Sequence, residues 1–297
     1  MSSDKILVYD GECSMCESMS ALLLRVLPGV PGVPGIPGDA RRPLQDFPLE
    51  TAARLDAAGI RNEMAVIAPA SGEIRSGIAG ILWLLQDTAA APLARLLDRP
   101  LLRGPLTIVY RTISYNRRVL APPLGRPAGF RCTCDPDDRP GYQLALIAGL
   151  LGLALALTVL FGAAVASGTG LESRGRGALQ MVIAAGSGWV VLLLALGADI
   201  GLPRDVRLRF VGHLGMVMVR GLLVLVPSML LSLVLSGAVL GVLGVLFGLS
   251  VTASFLLMLR DLDRRLRFLG LSRAWLAGWA AALWAGATAS VWFFFWH

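Results

Sequence analysis

Near its start, the chain has a continuous apolar run followed by apolar residues at helical spacing. Residues 5–10 form a short apolar run that ends in an Asp-Gly turn signal, which predicts a strand. Between residues 14 and 27, Met15, Met19, Leu22, Leu23 and Val26 recur at helical spacing. The chain therefore opens with a predicted strand, a tight turn and a helix.

Short elements continue over the next hundred residues. Residues 28–38 repeat proline and glycine with a Gly-x-Pro period that is too short for a triple helix, and they predict an extended, polyproline-like loop. Further elements are predicted at 48–59 (a capped helix), 64–68 with 73–76 (a hairpin), and 78–86, 92–97 and 101–119 (helices). This order predicts an α/β, thioredoxin-like domain over residues 1–120, although its second strand is not evident from the pattern.

The second half of the chain contains long stretches without charge. At about 1.5 Å per residue, each stretch is long enough to cross about 30 Å of hydrocarbon. The five predicted spans are 143–166, 178–198, 211–235, 238–259 and 274–296. We therefore predict an all-α membrane domain over residues 143–297, joined to the first domain by a Pro- and Gly-rich linker at 121–142.

Charge is distributed unevenly between the two halves. Residues 1–142 carry 16 Lys and Arg against 15 Asp and Glu, whereas residues 143–297 carry 11 against 5. The basic excess belongs to the loops between spans, where the positive-inside rule explains it, and the first half has no basic stripe with interleaved aromatic residues. We therefore expect the lipid bilayer as a partner and no nucleic acid. The loop charges and the lack of a secretory signal predict an integral membrane protein of a bacterial inner membrane, with the amino-terminal domain in the cytoplasm.

Small residues mark one face of the fourth predicted span. Gly237, Gly241, Gly244 and Gly248 recur every three or four residues, and serines continue the face. Such a face lets a neighbouring helix approach closely. It predicts helix packing, including oligomerisation through these glycines.

Two polar residues fall near the ends of the third span. We expect His213 to lie at the membrane interface. Arg220 lies a turn or two inside the span and is expected to extend towards the cytoplasmic face.

The chemistry of the chain is concentrated in its cysteines. Cys13 and Cys16 open the first helix, directly after the predicted strand. A helix amino terminus presents unpaired N–H groups and partial positive charge, which favours thiolate over thiol. Cys13 is then the candidate nucleophile, and Cys16, one turn further along the same face, is placed to resolve a mixed disulfide. Such a redox disulfide requires no cofactor and no bound metal.

The other two cysteines, Cys132 and Cys134, lie in the linker. One interpretation is a second redox pair that exchanges with Cys13 and Cys16, because a strained Cys-x-Cys disulfide would be oxidising. The alternatives are free thiols, or a zinc site that uses all four cysteines. We favour redox chemistry over zinc, because zinc sites usually have Cys-x-x-Cys on both sides and a Cys-x-x-Cys after an apolar strand is typical of redox proteins.

The stretch Tyr-Asp-Gly-Glu-Cys-Ser-Met-Cys resembles the signature of the DCC family of thiol-disulfide oxidoreductases, an Asp-x-x-Cys-x-x-Cys pattern that Asp10, Cys13 and Cys16 satisfy. Residues 72–79 resemble the hairpin and following helix of that family, and residues 110–117 resemble its closing helix. The similarity covers residues 5 to about 120 and none of the five spans.

The resemblance implies a thioredoxin-like fold with Cys13 and Cys16 as the redox pair and Asp10 beside them, as a proton acceptor or as a turn-forming residue. The sequence departs from thioredoxins in one respect, because residues 61–65 contain no proline where those proteins place a cis-proline facing the disulfide. Docking of a substrate against the site is therefore expected to differ.

These patterns predict a membrane-anchored thiol-disulfide oxidoreductase that exchanges disulfides with a thiol or disulfide partner through Cys13 and Cys16. In the reducing cytoplasm it would act as a reductase or thiol sensor. The alternative is a transporter or membrane scaffold in which the first domain is a non-catalytic binding or metal-binding module.

Overall fold

The structure is a computed structural model of the chain. It describes residues 5–11, 13–26, 41–57, 59–60, 62–88, 90–122, 136–168, 203–234 and 240–282. The chain divides into two compact units, Met1–Gln143 and Leu144–His297. Strands and helices make up the first unit, whereas the elements described in the second are all helical.

The elements of the first unit follow the predicted order, with one additional strand. They are β1 (Ile6–Tyr9), α1 (Ser14–Val26), β2 (Arg41–Pro43), a 3₁₀ turn (Leu44–Asp46), α2 (Leu49–Ala57), β3 (Ala65–Ala68), β4 (Glu73–Ser76), α3 (Gly77–Leu85), α4 (Ala91–Leu97), α5 (Pro100–Tyr115) and α6 (Arg117–Leu120). The predicted hairpin is confirmed as β3 and β4. The predicted loop at 28–38 lies outside the described residues.

The four strands form one mixed sheet in the order β2-β1-β3-β4. β1 runs parallel to β2, with Leu7 opposite Arg41, and antiparallel to β3, with Leu7 opposite Val66. β3 and β4 pair antiparallel as a hairpin. β1 is therefore a central strand, and the turn that carries the cysteines leaves from the middle of the sheet.

Alternate residues of β1 face opposite sides of the sheet, as the two-residue period of a strand requires. Ile6 and Val8 belong to a cluster with Leu55 of α2, whereas Leu7 belongs to a cluster with Leu84 of α3. Helices therefore cover both faces. This double cover explains why β1 is a continuous apolar run and not an alternating one.

The strand that the sequence pattern did not indicate, β2, is three residues long and reads Arg-Arg-Pro. It lies at the edge of the sheet, where charged residues and proline are common because one side of the strand needs no partner. The Arg41 guanidinium donates to the backbone oxygen of Glu17 in α1 at 3.1 Å. β2 is thus positioned by side-chain contacts that a hydropathy pattern does not show.

The helix predicted at 101–119 is two helices in the structure. α5 ends at Tyr115 and α6 begins at Arg117, because Asn116 leaves the helical conformation between them with φ −109° and ψ 15°. The Asn116 amide donates back to the Thr112 carbonyl at 2.8 Å and to the Tyr142 carbonyl at 2.9 Å. The break turns Arg117 into the interior of the first unit, where only 3% of the residue is exposed.

The described residues of the second unit form three long helices, α7 (Pro140–Gly168, which begins in the first unit), α8 (Arg204–Val234) and α9 (Leu240–Leu269), followed by a helical stretch at 274–282. Two helices of the described residues are long and apolar enough to cross a membrane, at Pro140–Leu160 and Val206–Leu231. They coincide with the first and third predicted spans. Residues 178–198 lie outside the described residues, as does most of 274–296. The fourth predicted span lies in α9, which is not one of these two helices, so five spans remain a prediction.

α8 and α9 pack closely along their length. The Ser254 hydroxyl donates to the Gly221 carbonyl at 2.8 Å, and a Cβ at Gly221 would overlap the Met258 side chain. The serine end of the predicted small-residue face therefore contacts α8. Gly237 lies outside the described residues, and so do the surroundings of Gly241, Gly244 and Gly248, which leaves oligomerisation through them a prediction.

The two polar residues of α8 have protein partners. His213 is 1% exposed, and its Nδ1 lies 2.7 Å from Arg265 Nη1, so it is buried between α8 and α9, and its depth in a membrane stays a prediction. Arg220 reaches Asp261 of α9 at 3.2 Å. The sequence analysis named no partner for either residue, because both partners lie on α9.

Candidate thiol site

Cys13 occupies the residue immediately before α1 and acts as its cap. The Glu17 N–H donates to the Cys13 carbonyl at 2.9 Å, which is the first hydrogen bond of the helix. The Cys16 N–H donates to Cys13 Sγ at 3.3 Å, so the sulfur occupies the position in which an N-cap oxygen usually accepts. The strand, turn and helix that the sequence predicts therefore direct the Cys13 sulfur to unpaired N–H groups.

Several groups act on the ionisation of Cys13, and together they lower its pKa to about 6. The largest effect is the hydrogen bond from the Cys16 thiol, and the Cys16 N–H and the positive charge of Arg117 act in the same direction. Burial and the negative charge of Asp10 oppose them. At pH 7 a thiol with this pKa is about nine-tenths thiolate, the form that attacks disulfides.

Cys16 is more buried than Cys13, and its pKa is shifted in the opposite direction. It is 9% exposed, whereas Cys13 is half-buried. Its hydrogen bond to Cys13, its burial and the charge of the Cys13 thiolate all raise the pKa of Cys16. The pair therefore consists of an accessible thiolate and a protected thiol, which is the division of roles that the spacing predicts.

Asp10 lies beneath the cysteines and is 4% exposed. Its backbone oxygen accepts from the Cys13 N–H at 3.2 Å, which closes the turn between β1 and α1. Its carboxylate pairs with Arg117 of α6 at 3.4 Å. Asp10 is thus both a turn residue and half of a buried ion pair, so the structure brings together all three residues of the Asp-x-x-Cys-x-x-Cys pattern.

Gln45, in the 3₁₀ turn that follows β2, makes two hydrogen bonds to the turn between β1 and α1. Its amide nitrogen donates to Asp10 Oδ1 at 3.3 Å, and its amide oxygen accepts from the Gly11 N–H at 3.1 Å. A Cβ at Gly11 would lie 2.8 Å from the Cβ of Pro43 and 3.0 Å from Gln45 Oε1. Glycine is therefore favoured at residue 11 by the close approach of the last residue of β2 and of the 3₁₀ turn that follows it.

The segment 62–64, which precedes β3, is fixed by side chains of α5 and α6. The Met64 N–H donates to the Tyr110 hydroxyl at 2.9 Å, and burial raises the pKa of Tyr110 so that this hydroxyl stays protonated. The Ser114 hydroxyl donates to the Asn62 carbonyl, as does Arg117 Nη1 at 3.4 Å. Side-chain hydrogen bonds thus hold this segment in place, within the stretch where the sequence analysis noted the absence of a proline.

Two more contacts hold the same segment. Arg111 Nε lies 2.7 Å from Glu63 Oε1, and only 9% of the Glu63 side chain is exposed. Asn62 Nδ2 donates to Asp137 Oδ2 at 2.9 Å, and the Asp137 N–H donates to Asn62 Oδ1 at 2.8 Å. The segment is therefore bound by α5, α6 and the residues that precede α7.

Gly77 completes the setting of this segment. Its N–H donates to the Met64 carbonyl at 2.8 Å, and its φ of +60° is a conformation that side-chain-bearing residues rarely adopt. A Cβ at this position would overlap the Glu63 carboxylate. The start of α3 therefore needs a glycine for two separate reasons.

Sequence reasoning identified the cysteines and Asp10 and missed the residues around them. Arg117 and Tyr110 lie in the stretch that resembles the closing helix of the DCC family, and this was the only sequence signal for them. Gln45 had no signal, because it follows the strand that the pattern did not indicate. These three residues support the site from positions 29 to 101 residues away from Cys16 along the chain.

The second cysteine pair, Cys132 and Cys134, lies outside the described residues. Within the described part of the chain, no group of three or more His, Cys, Asp or Glu side chains is arranged to bind a metal ion. Both the redox relay and the zinc site that uses all four cysteines therefore stay predictions.

No protein-family model, curated protein or solved structure matches the chain. The assignment of function consequently rests on the geometry of the thiol site and on the sequence resemblance described above.

Proposed function

We propose that the protein is a membrane-anchored thiol-disulfide oxidoreductase that uses Cys13 and Cys16. The observation that carries this proposal is the Cys16 N–H donating to Cys13 Sγ at 3.3 Å, at the first turn of a helix. This arrangement stabilises a thiolate at Cys13 and places a second sulfur one turn away. A pair of this kind has the chemistry for two-electron exchange with a disulfide.

The exchange takes two steps. The Cys13 thiolate attacks one sulfur of a partner disulfide, so that a Cys13–partner disulfide forms and the other partner sulfur leaves as a thiolate and takes up a proton. Cys16 then loses its proton and attacks the Cys13 sulfur, which releases the second partner thiolate and forms the Cys13–Cys16 disulfide. Two electrons pass from the cysteine pair to the partner. A cellular thiol reductant would then restore the dithiol.

In the mixed disulfide the Cys13 thiolate is gone, but burial still raises the pKa of Cys16. Cys16 therefore needs a proton acceptor before it can attack, which gives Asp10 a place in the second step. Asp10 raises the pKa of both cysteines and is hydrogen-bonded to the turn that carries them. We assign Asp10 two functions, closing the turn and accepting the Cys16 proton.

The fold supports this proposal. A central β1 that is parallel to β2 and antiparallel to β3, with the cysteines between β1 and α1, is the arrangement expected of a thioredoxin-like domain. The Asp-x-x-Cys-x-x-Cys pattern favours membership of the DCC family. The segment 62–64 would be the docking edge for the partner, with side chains of α5 and α6 in place of a cis-proline.

We further propose that the second unit embeds the protein in a membrane through five spans, with the thiol domain in the cytoplasm of a bacterial cell. The two span-length helices and the arginine-rich loops support this placement. Because the cytoplasm is reducing, the direction proposed is reduction of partner disulfides.

The test is trapping of the mixed disulfide. In a background with Cys132 and Cys134 replaced by serine, the Cys16→Ser variant should accumulate disulfide-linked partners in intact membranes, seen on non-reducing gels and identified by mass spectrometry. The matched control is the Cys13→Ser variant, which should trap none. Absence of adducts from Cys16→Ser, together with a Cys13 that does not react with alkylating agents at pH 7, would contradict the proposal.

A further inference from the structure

A second polar centre lies in the membrane unit, far in sequence from the thiols. The Asp261 carboxylate of α9 receives three arginines: Arg264 Nη2 at 2.6 Å, Arg265 Nε at 2.9 Å and Arg220 Nη1 of α8 at 3.2 Å. Three guanidinium groups thus meet at one carboxylate. We call these four residues, with His213, the arginine cluster.

The cluster has a buried part and an accessible part. The side chain of Arg265 is 0% exposed, and it joins Asp261 to His213, which is 1% exposed. By contrast, 40% of the Arg220 side chain and 32% of the Arg264 side chain are exposed. Asp261, Arg265 and His213 therefore form a frame, and Asp261 joins two partly exposed arginine side chains to it.

The position of the cluster along α9 places it at the edge of an apolar stretch. Residues 240–259 contain no charged side chain, whereas residues 260–269 contain six. Twenty helical residues rise about 30 Å, the thickness of the hydrocarbon core of a bilayer. If residues 240–259 cross the membrane, Asp261 and Arg264 come within the next one and a half turns and lie at the depth of the lipid headgroups.

The surrounding charge cannot be balanced within this helix pair. Residues 204–273 contain nine arginines and three aspartates, a net charge of +6. Even if each aspartate neutralised one arginine, six positive charges would remain beside the apolar stretch. Guanidinium groups bind phosphate through two parallel hydrogen bonds, which makes arginine the preferred side chain for such anions.

We propose that the arginine cluster binds the phosphate of an anionic phospholipid headgroup. Arg220 and Arg264 donate to the phosphate oxygens, and Asp261, Arg265 and His213 position them. The inference rests on the membrane embedding in the proposed function and is independent of the thiol chemistry.

The test uses the full chain purified in a neutral detergent, with thermal unfolding as the measurement. Phosphatidylglycerol should raise Tm by several degrees, because a ligand that binds only the folded state stabilises it, and phosphatidylcholine should not. Equal shifts from both lipids would overturn the proposal. So would an equal shift from inorganic phosphate, which would make the cluster a site for free anions.

Arginine variants show which side chains the phosphatidylglycerol shift in Tm depends on. Arg220→Gln with Arg264→Gln should lose most of the phosphatidylglycerol shift, whereas Arg267→Gln should keep it. Arg267 is the matched control because it lies on the same helix, is 65% exposed and pairs with Asp263 instead. An equal loss in Arg267→Gln would show diffuse electrostatic attraction and would overturn the proposal.

A second measurement covers the case in which the double variant does not fold. Native mass spectrometry of the unaltered protein and of Arg264→Gln alone should show a retained phosphatidylglycerol that the variant loses at least in part; equal retention would contradict the site. A chain that is soluble without detergent would overturn both this inference and the membrane assignment. Failure of Cys13 to trap partners would instead overturn the thiol chemistry and leave the lipid site standing.

Discussion

Arg117 Nη2 lies 3.4 Å from Asp10 Oδ2, and only 3% and 4% of the two side chains are exposed. Removing two charges from water is costly, so a pair this deeply buried is weak evidence for stability by itself. Because the Arg117–Asp10 pair lies beneath the cysteines, it also affects the ionisation of Cys13. Arg117 lowers the pKa of Cys13 and Asp10 raises it, so the pair sets the charge balance beneath the thiolate.

Arg117→Met tests this relationship. The variant leaves the Asp10 carboxylate buried without its counter-charge, for which we expect a loss of about 3–5 kcal/mol of local stability. The pKa of Cys13 should rise, because a positive charge near the thiolate is lost. Hydrogen exchange of the β1 and β3 amides in the full chain measures the first effect. Alkylation of Cys13 as a function of pH measures the second.

Two further variants serve as controls for Arg117→Met. Adding Asp10→Asn removes the orphaned charge, so the double variant should be more stable than Arg117→Met alone. Arg103→Met removes an arginine of α5 whose side chain is 48% exposed and pairs with Asp98 at 3.3 Å, and such surface pairs contribute about 0–1 kcal/mol. A loss in Arg103→Met as large as in Arg117→Met would contradict the special role of the buried pair.

The sequence predicted those parts of the site whose residues are neighbours along the chain. Cys13, Cys16 and Asp10 lie within seven residues, and the turn and helix signals around them are local. Arg117 contacts Asp10 across 107 residues, and its burial depends on the break at Asn116, which no periodicity indicates. β2 was missed because an edge strand of three residues has too few positions to show a pattern. Local signals thus predict the reactive groups, and tertiary contacts decide what surrounds them.

Replacing Cys16 should change the pH dependence of Cys13. The hydrogen bond from the Cys16 thiol is the largest cause of the lowered pKa of Cys13, so Cys16→Ala should raise that pKa above its value of about 6. Thiolate forms as pH rises through the pKa, so alkylation at pH 7 should slow. The limit is about 30-fold, reached if the pKa returns to the ordinary 8.5.

Cys16→Ser is the matched control for Cys16→Ala. Its hydroxyl can still donate to the Cys13 sulfur, so the midpoint of its alkylation profile should stay closer to pH 6. Both profiles are measured on the full chain, with Cys132 and Cys134 replaced by serine so that Cys13 is the only reacting thiol. Identical profiles for the alanine and serine variants would show that the thiol hydrogen bond does not set the pKa.

The Tyr110 hydroxyl accepts from the Met64 N–H at 2.9 Å in a partly buried setting. Tyr110→Phe removes this acceptor and leaves the N–H without its partner, for which we expect a loss of about 1 kcal/mol. The loss should appear as faster hydrogen exchange in β3. Tyr115→Phe is the control, because its ring stacks on Tyr142 at 5.0 Å and the variant keeps that ring. Slower exchange in Tyr110→Phe, or an equal effect of Tyr115→Phe, would contradict this account of the segment 62–64.

Gly77 and Gly72 form a matched pair for testing whether the segment 62–64 affects the ionisation of Cys13. Both have positive φ, +60° and +69°, so alanine at either position has a similar backbone cost of about 1 kcal/mol or more. Only at Gly77 would the new Cβ overlap Glu63, since nothing lies within 4 Å of a Cβ at Gly72. Gly77→Ala should therefore be the more destabilising of the two. Because displacement of Glu63 also moves Asn62, whose carbonyl accepts from Arg117, Gly77→Ala should also shift the alkylation midpoint of Cys13, whereas Gly72→Ala should leave it unchanged. An unchanged midpoint in both variants would show that the segment is held by α5 and α6 without acting on the thiolate.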